Sequence, residues 1–179
     1  MKHVEIRTQP TIPSDRFVLR PVRSSDLGAL NMSASDKRVA EGTRSIPHPL
    51  PPGVTEAFIE RALSETRDED VWVMDGLGKN QDNVVGVITL TSLDRGQSQL
   101  GYWVAPGFWN AGIASEAVSA LIASNPLGNS SIFAEVFQDN PASARVLTHA
   151  GFEYIGDAES HSVARGVTVP TWTYIRKMA

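Results

Sequence analysis

The chain alternates between two hydrophobic rhythms. Residues 16–21 (RFVLRP) alternate as a strand does and stop at a proline. Ser24 or Ser25 can cap a helix reaching about Ser33, and a second short helix is expected over 36–41. A helical period returns in TEAFIERALSETR, whose apolar face is Phe58, Ile59, Ala62 and Leu63. Two strands follow, at 70–74 with Val71 and Val73 on one face, and at 83–91 with apolar residues on both faces. The segment between them, 75–82, reads as a hairpin turn. Gly86 in mid-strand predicts close approach by another group, or a bulge.

The pattern that organises the chain begins at Gln99. Leu100, Tyr102 and Val104 alternate with Gly101, Trp103 and Ala105, and Pro106-Gly107 ends the strand. A helix then runs to about Ser124, with Ile113, Ala117, Ala120 and Leu121 at helical spacing. The next strand is 131–137, so the strand–helix–strand order implies a right-handed parallel crossover. Asp139 or Asn140 caps a further helix, with Pro141 at its first position and Gly151 at its end. Residues 152–158 and 171–177 read as two last strands joined by an irregular loop. Residues 1–15 read as an extended lead-in, and 42–53 (GTRSIPHPLPPG) as a break set by four prolines and two glycines.

Composition narrows the classes. A chain of 179 residues is expected to be one domain, 1–179, with a sizeable core. The net charge of −4 argues against nucleic acid as the main partner. No apolar run approaches a spanning helix, and MKHVEIRTQP lacks the apolar core of a signal peptide, so the expectation is a cytoplasmic protein with no membrane partner. The absence of cysteine excludes disulfides, thiolate zinc sites and a cysteine nucleophile, and no metal is expected. The sequence fits a monomer or a homodimer.

The strand–turn–helix unit over 99–122 places a helix N-terminus, preceded by Gly112, directly after a strand. Unpaired amides and the helix dipole at such a point suit a phosphate or pyrophosphate, although an ordinary βα connection has the same punctuation. Neither G-x-G-x-x-G nor G-x-x-x-x-G-K-[ST] is present, so backbone amides would do the holding.

Two signatures then carry a family resemblance. Val104-Ala105-Pro106, followed by Trp109-Asn110-Ala111-Gly112-Ile113-Ala114, resembles the acetyl-CoA signature of GNAT-type N-acetyltransferases, V-x-P-x-x-[R/Q]-x-x-G-x-[G/A]. Trp109 stands where that family most often has Arg or Gln. The branch similar to ribosomal-protein alanine N-acetyltransferases often tolerates an aromatic there, with a glutamate placed as Glu116 is. Asn140, Ser143, Leu147, Gly151 and Phe152 resemble the second signature, N-x-x-S-x-x-x-L-x-x-x-G-F, in the expected order.

The resemblance implies an α/β (α+β) fold: a mixed, mostly antiparallel sheet with a splayed parallel strand pair and flanking helices. It also implies acetyl-CoA as cosubstrate and an amine as acceptor. Trp103, Val104 and Ala105 would pair with the pantetheine arm, and the Val104 N–H would bond the thioester oxygen. The amides of Asn110, Ala111, Gly112, Ile113 and Ala114, beside Trp109, would seat the pyrophosphate, and Asn140 would contact the cofactor. The tyrosine many GNAT enzymes use as acid is replaced by Leu147. Ser143 matches the serine proposed to contact the sulfur in the ribosomal-protein branch. Glu135, between Phe133 and Phe137 on one strand face, is a candidate base or equally a solvent-edge glutamate. Glu116 is a second candidate base, with a structural role at the helix start favoured. The loops at 42–53 and 159–170 would border the acceptor. His161 and Arg165 are candidates for carboxylate binding or proton transfer, with a solvated loop as the preferred reading, and His48 is expected to have no role. Two other classes stay open: a non-catalytic acyl-CoA-binding module, and an α/β enzyme holding a different phosphate ligand.

Overall fold

A computed structural model describes residues 8–76 and 84–179. Eight strands form one sheet in the order β1-β2-β3-β4-β5-β6-β8-β7. They are β1 (Ile12–Pro13), β2 (Val18–Pro21), β3 (Glu69–Asp75), β4 (Val84–Leu93), β5 (Gln97–Val104), β6 (Ser131–Phe137), β7 (Glu153–Ser162) and β8 (Val167–Lys177). The helices are α1 (Leu27–Ala34), α2 (Lys37–Glu41), α3 (Val54–Leu63), α4 (Ile113–Ser124) and α5 (Pro141–His149). Every neighbouring pair is antiparallel except β5 with β6, which the α4 crossover makes parallel. This is the mixed, mostly antiparallel architecture expected above. Among the described residues no helix is long and apolar enough to cross a membrane.

Strand alternation divides the core between the two faces of the sheet. Trp72 and Met74 join Leu19, Ile88, Leu100 and Val104 under α4 and α5, where Val118, Leu121 and Leu147 complete the layer. Val71 and Val73 face the other way, onto Leu30 of α1 and Ile59 and Ala62 of α3. Tyr102 packs with the first cluster and Trp103 with the second, as their alternation on β5 requires.

Several boundaries differ from the sequence reading. The lead-in contains β1, which pairs with Leu19 and Val18 of β2. A 3-10 turn at Ser24–Asp26 precedes α1, and Arg23 rather than a serine stands at its cap. Helix α3 stops at Leu63, which is half exposed, so only Phe58, Ile59 and Ala62 face the core. The last two strands run to Ser162 and restart at Val167, so most of the supposed loop is a long hairpin. The hairpin turn expected over 75–82 lies mostly outside the described residues, but β3 and β4 are antiparallel neighbours as it implies.

Gly86 fulfils both readings of its position. The β3–β4 register slips there, with Met74 opposite Gly86 and Asp75 opposite Val84. A Cβ on Gly86 would lie 2.5 Å from the Trp103 carbonyl oxygen and 2.8 Å from the Met74 sulfur. β5 therefore runs against bare backbone just where its end leaves β6. Gly86→Ala is expected to lower stability by about 1–3 kcal/mol, the usual cost of overpacking. A urea midpoint equal to that of the parent would refute the close approach.

Candidate active site

The site is built where the parallel ladder stops. The β5–β6 pairing runs from Gln97 opposite Ser131 to Leu100 opposite Ala134. Its closed end is fastened by Ser130 N–H to Gly96 O at 2.8 Å and by the buried bond from Ser98 Oγ to Asn129 Oδ1 at 3.0 Å. Beyond Leu100, β5 continues four residues and β6 three, yet they no longer pair. The strands splay.

Alternation decides which backbone groups the splay exposes. Ala105 N–H donates to Val85 O at 2.7 Å. With Trp103 opposite Val87, this turns the backbone groups of Trp103 and Ala105 toward β4 and those of Tyr102 and Val104 toward β6. Of the three residues expected to offer backbone bonds to a ligand, only Val104 is so oriented, and Tyr102 takes the place of its neighbours. The Val104 carbonyl is already used, because Trp109 Nε1 donates to it at 2.6 Å. Its N–H therefore faces the gap. Trp109 thus acts as a staple across the turn, with its half-exposed ring beneath the Arg38 guanidinium, 5.6 Å from the centroid.

The turn after β5 prepares an anion seat. Asn110 and Gly112 both adopt left-handed backbone, φ 61° and 73°, and Gly112 caps α4 without a side-chain bond. The first amides of α4 have no intrahelical acceptor, and the helix dipole adds positive potential there. Arg38, Arg145 and His149 line the same cleft, whose volume is about 670 Å³. Asn110, Gly112, Ile113, Ala114, Trp109, Val104 and Trp103 all border it; Ala105 and Ala111 do not. The donor set fits a pyrophosphate, since it combines free amides with basic side chains.

Asn140 and Ser143 reach the splay from α5. Asn140 caps that helix by accepting the Ser143 N–H at Oδ1, 3.3 Å, so its amide oxygen is engaged while the residue borders the cleft. Pro141 follows at the first position, and Phe152 N–H to Leu147 O and Gly151 N–H to Thr148 O close the other end. Ser143 Oγ lies 2.6 Å from Tyr102 Oη, and the Tyr102 hydroxyl also lies 3.2 Å from the Ser143 carbonyl oxygen, which can accept its proton. Burial pushes the Tyr102 phenol up to about 12, against a lowering by its Ser143 bond. It therefore keeps its proton at neutral pH. Sequence reasoning assigned no role to Tyr102; its alternation toward the α5 face with Leu100 and Val104 was the available signal.

On the other face of the sheet lies a second cleft of about 290 Å³, which meets the first at Tyr102, Trp103, Asn140 and Ser143. Thr43, Arg44, Ser45, Ile46 and Leu50 of the 42–53 segment form one wall; His48 is not among its lining residues. Glu135 borders this cleft one residue past the last ladder pair, accepts a hydrogen bond from Ser160 and stands 3.9 Å from Arg44 Nη1. His161 is exposed and borders neither cleft. Arg165 is occupied: it bonds Asp139 at 2.5 Å and the Glu41 carbonyl at 2.9 and 3.1 Å, and covers the Phe137 ring. It straps the β7–β8 turn to both clefts' borders.

Glu116 lies apart from the second cleft. Its carboxylate takes bonds from Ser14 Oγ at 2.6 Å, Arg16 N–H at 3.0 Å and Arg16 Nε at 2.7 Å, tying the N-terminal segment to the start of α4. Burial pushes its pKa up, but the Ser14 and Arg16 bonds outweigh this and hold it below the ordinary 4.5.

A parallel pair that splays beside a helix N-terminus is the frame of an acyl-CoA acyltransferase. The family model described as Acetyltransferase (GNAT) domain matches residues 16–153, and the chain belongs to that family. It is similar to the uncharacterized N-acetyltransferase YoaA of Bacillus subtilis (strain 168), 28% identical over 174 residues covering 92% of this chain and 95% of that protein. Its fold is similar to RimL, a ribosomal L7/L12 alpha-N-protein acetyltransferase solved in complex with coenzyme A, at TM-score 0.81, 18% identity and coverage of 94% and 98%. It is also similar to spermidine N-acetyltransferase from Vibrio cholerae, solved with CoA and spermine, at TM-score 0.76, 15% identity and coverage of 91% and 96%.

Because the folded pKa of Glu116 is depressed, its stabilising contribution is present above the ordinary carboxylate value and is lost as pH falls through the folded one. Glu116→Gln should therefore unfold more easily than the parent at pH 7, by roughly 1–3 kcal/mol, and the difference should shrink as pH falls below the ordinary carboxylate range. Stability curves that stay parallel from neutral pH into acid would contradict this assignment.

Proposed function

We propose that the protein transfers the acetyl group of acetyl-CoA directly to a primary amine, of a small molecule or of a peptide N-terminus, in a ternary complex. The observation that carries the reading is the open ladder beyond Leu100 and Ala134, with the backbones of Tyr102 and Val104 turned into it. Asn110, Gly112, Ile113, Ala114 and Asn140 hold the donor on one side of the sheet. The acceptor enters from the cleft on the other, and the two clefts join at the fork.

The chain has no cysteine, so no thiol can carry the acyl group between substrates. The Val104 N–H is the available donor for the thioester oxygen. Glu135, at the fork, receives the proton that the attacking amine must lose. Ser143 meets the departing sulfur, and Tyr102 orients the Ser143 hydroxyl from 2.6 Å. A thiol near pKa 8.5 is a good leaving group close to neutral pH, so a hydroxyl donor is sufficient. Tyr102 thereby supplies from β5 a phenol that Leu147 cannot supply from α5.

Acetyl-CoA and CoA should each raise the melting temperature, by about 2.7 kcal/mol of stability at 100 times Kd, whereas ATP and NAD should not. Ser143→Ala should lower kcat for thiol release at least tenfold while keeping the CoA-induced shift, and Tyr102→Phe should lower it less. A shift with nucleotides but none with CoA would overturn the reading. Retained CoA binding without thiol release across amines and peptides would leave a binding module.

A further inference from the structure

We propose that the acceptor is a free α-amino acid with an apolar side chain; this rests on the acetyl-transfer reading and names the substrate of that site. The fork presents one carboxylate and one guanidinium side by side. Glu135 follows Ala134, the last paired residue of β6, and Arg44 Nη1 stands 3.9 Å from its Oε2. That distance is long for an ion pair, and the Arg44 side chain is 50% exposed, so neither charge is fully matched by the other. The backbone under Arg44 is anchored, because Val163 N–H donates to its carbonyl at 3.0 Å. An α-amino acid carries opposite charges on one carbon, its nitrogen about 2.5 Å from its carboxyl carbon. Such a molecule sets its amine at Glu135, beside the fork, and its carboxylate at Arg44.

The cleft also offers apolar side chains, Leu30, Phe58, Ile46, Leu50 and Trp103, able to receive a substrate side chain, beside the polar Thr55, Thr89, Thr91 and Gln99. The volume, about 290 Å³, is at the small end for ligand pockets.

Charge balance separates this acceptor from the alternatives. The cleft is lined by two carboxylates, Glu135 and Glu69, and two guanidinium groups, Arg44 and Arg61, so a polyamine would meet as many cationic as anionic side chains. A peptide N-terminus would bring a neutral amide to Arg44 where an amino acid brings an anion. In the reaction the ammonium first gives one proton to Glu135, which frees the nitrogen lone pair to attack the thioester carbon; the C–N bond forms and the C–S bond breaks. The nitrogen then loses its second proton, and the departing thiolate takes that one up, giving an N-acetylamino acid, CoA thiol and the proton left on Glu135.

The test is thiol release by the full chain with acetyl-CoA and leucine, methionine, leucinamide, a leucine-initiated peptide or spermidine. We expect kcat/KM for leucine to exceed that for leucinamide at least tenfold. Arg44→Gln should collapse that ratio toward one, and Arg44→Lys should retain part of it. Equal or better turnover of leucinamide, the peptide or spermidine would overturn the proposal, as would an acid-to-amide ratio indifferent to Arg44→Gln. In those cases acetyl transfer itself stands. An absent melting shift with acetyl-CoA would instead overturn the acetyl-transfer reading, so the two failures are distinguishable.

Discussion

The structure depends on a hydrogen-bond ladder that is made for four residue pairs and then abandoned. From Gln97 to Leu100, β5 is bonded on both sides; from Tyr102 to Val104 it is bonded only to β4. Unpaired strand backbone inside a sheet is costly unless something else bonds to it. The surroundings hold the gap open from every side. Gly86 lets β4 press against the end of β5, and Trp109 secures the Val104 carbonyl. Tyr102 and Ser143 join β5 to α5 across the gap. On the far side, β8 pairs with β6 as far as Phe137, so β6 stays straight while β5 departs.

That single opening explains why two clefts on opposite faces of one sheet belong to one site. The cleft beside α4 is basic, lined by Arg38, Arg145 and the start of that helix. The cleft beside the 42–53 segment is smaller and charge-balanced. Arg165 serves both, because its partners are Asp139, next to the α5 cap, and Glu41, at the end of α2 next to the 42–53 segment. Removing it would loosen both borders at once.

Much of this was legible in the sequence because it rests on local chemistry. The cap Asn140-Pro141 and the stop at Gly151 predicted α5 from backbone hydrogen bonding alone, and alternation over 100–105 correctly separated the faces of β5. Features set by long-range pairing were not. β1 is two residues long and exists only because β2 lies beside it. The extension of the last hairpin was missed because residues 159–162 of β7 are all polar, so no period marked them as strand. That the backbones of Trp103 and Ala105 face β4 was not legible, because ladder parity depends on the β4 register, which no residue type encodes. Arg165 looked like a free loop cation until Asp139 was folded against it.

The central claim is most directly tested by amide hydrogen exchange at Tyr102 and Val104, with and without saturating CoA. The account predicts that both amides slow markedly on binding, while Trp103 and Ala105, already bonded to β4, change little. Unchanged exchange at Tyr102 and Val104 in a sample whose melting shift shows CoA to be bound would contradict it.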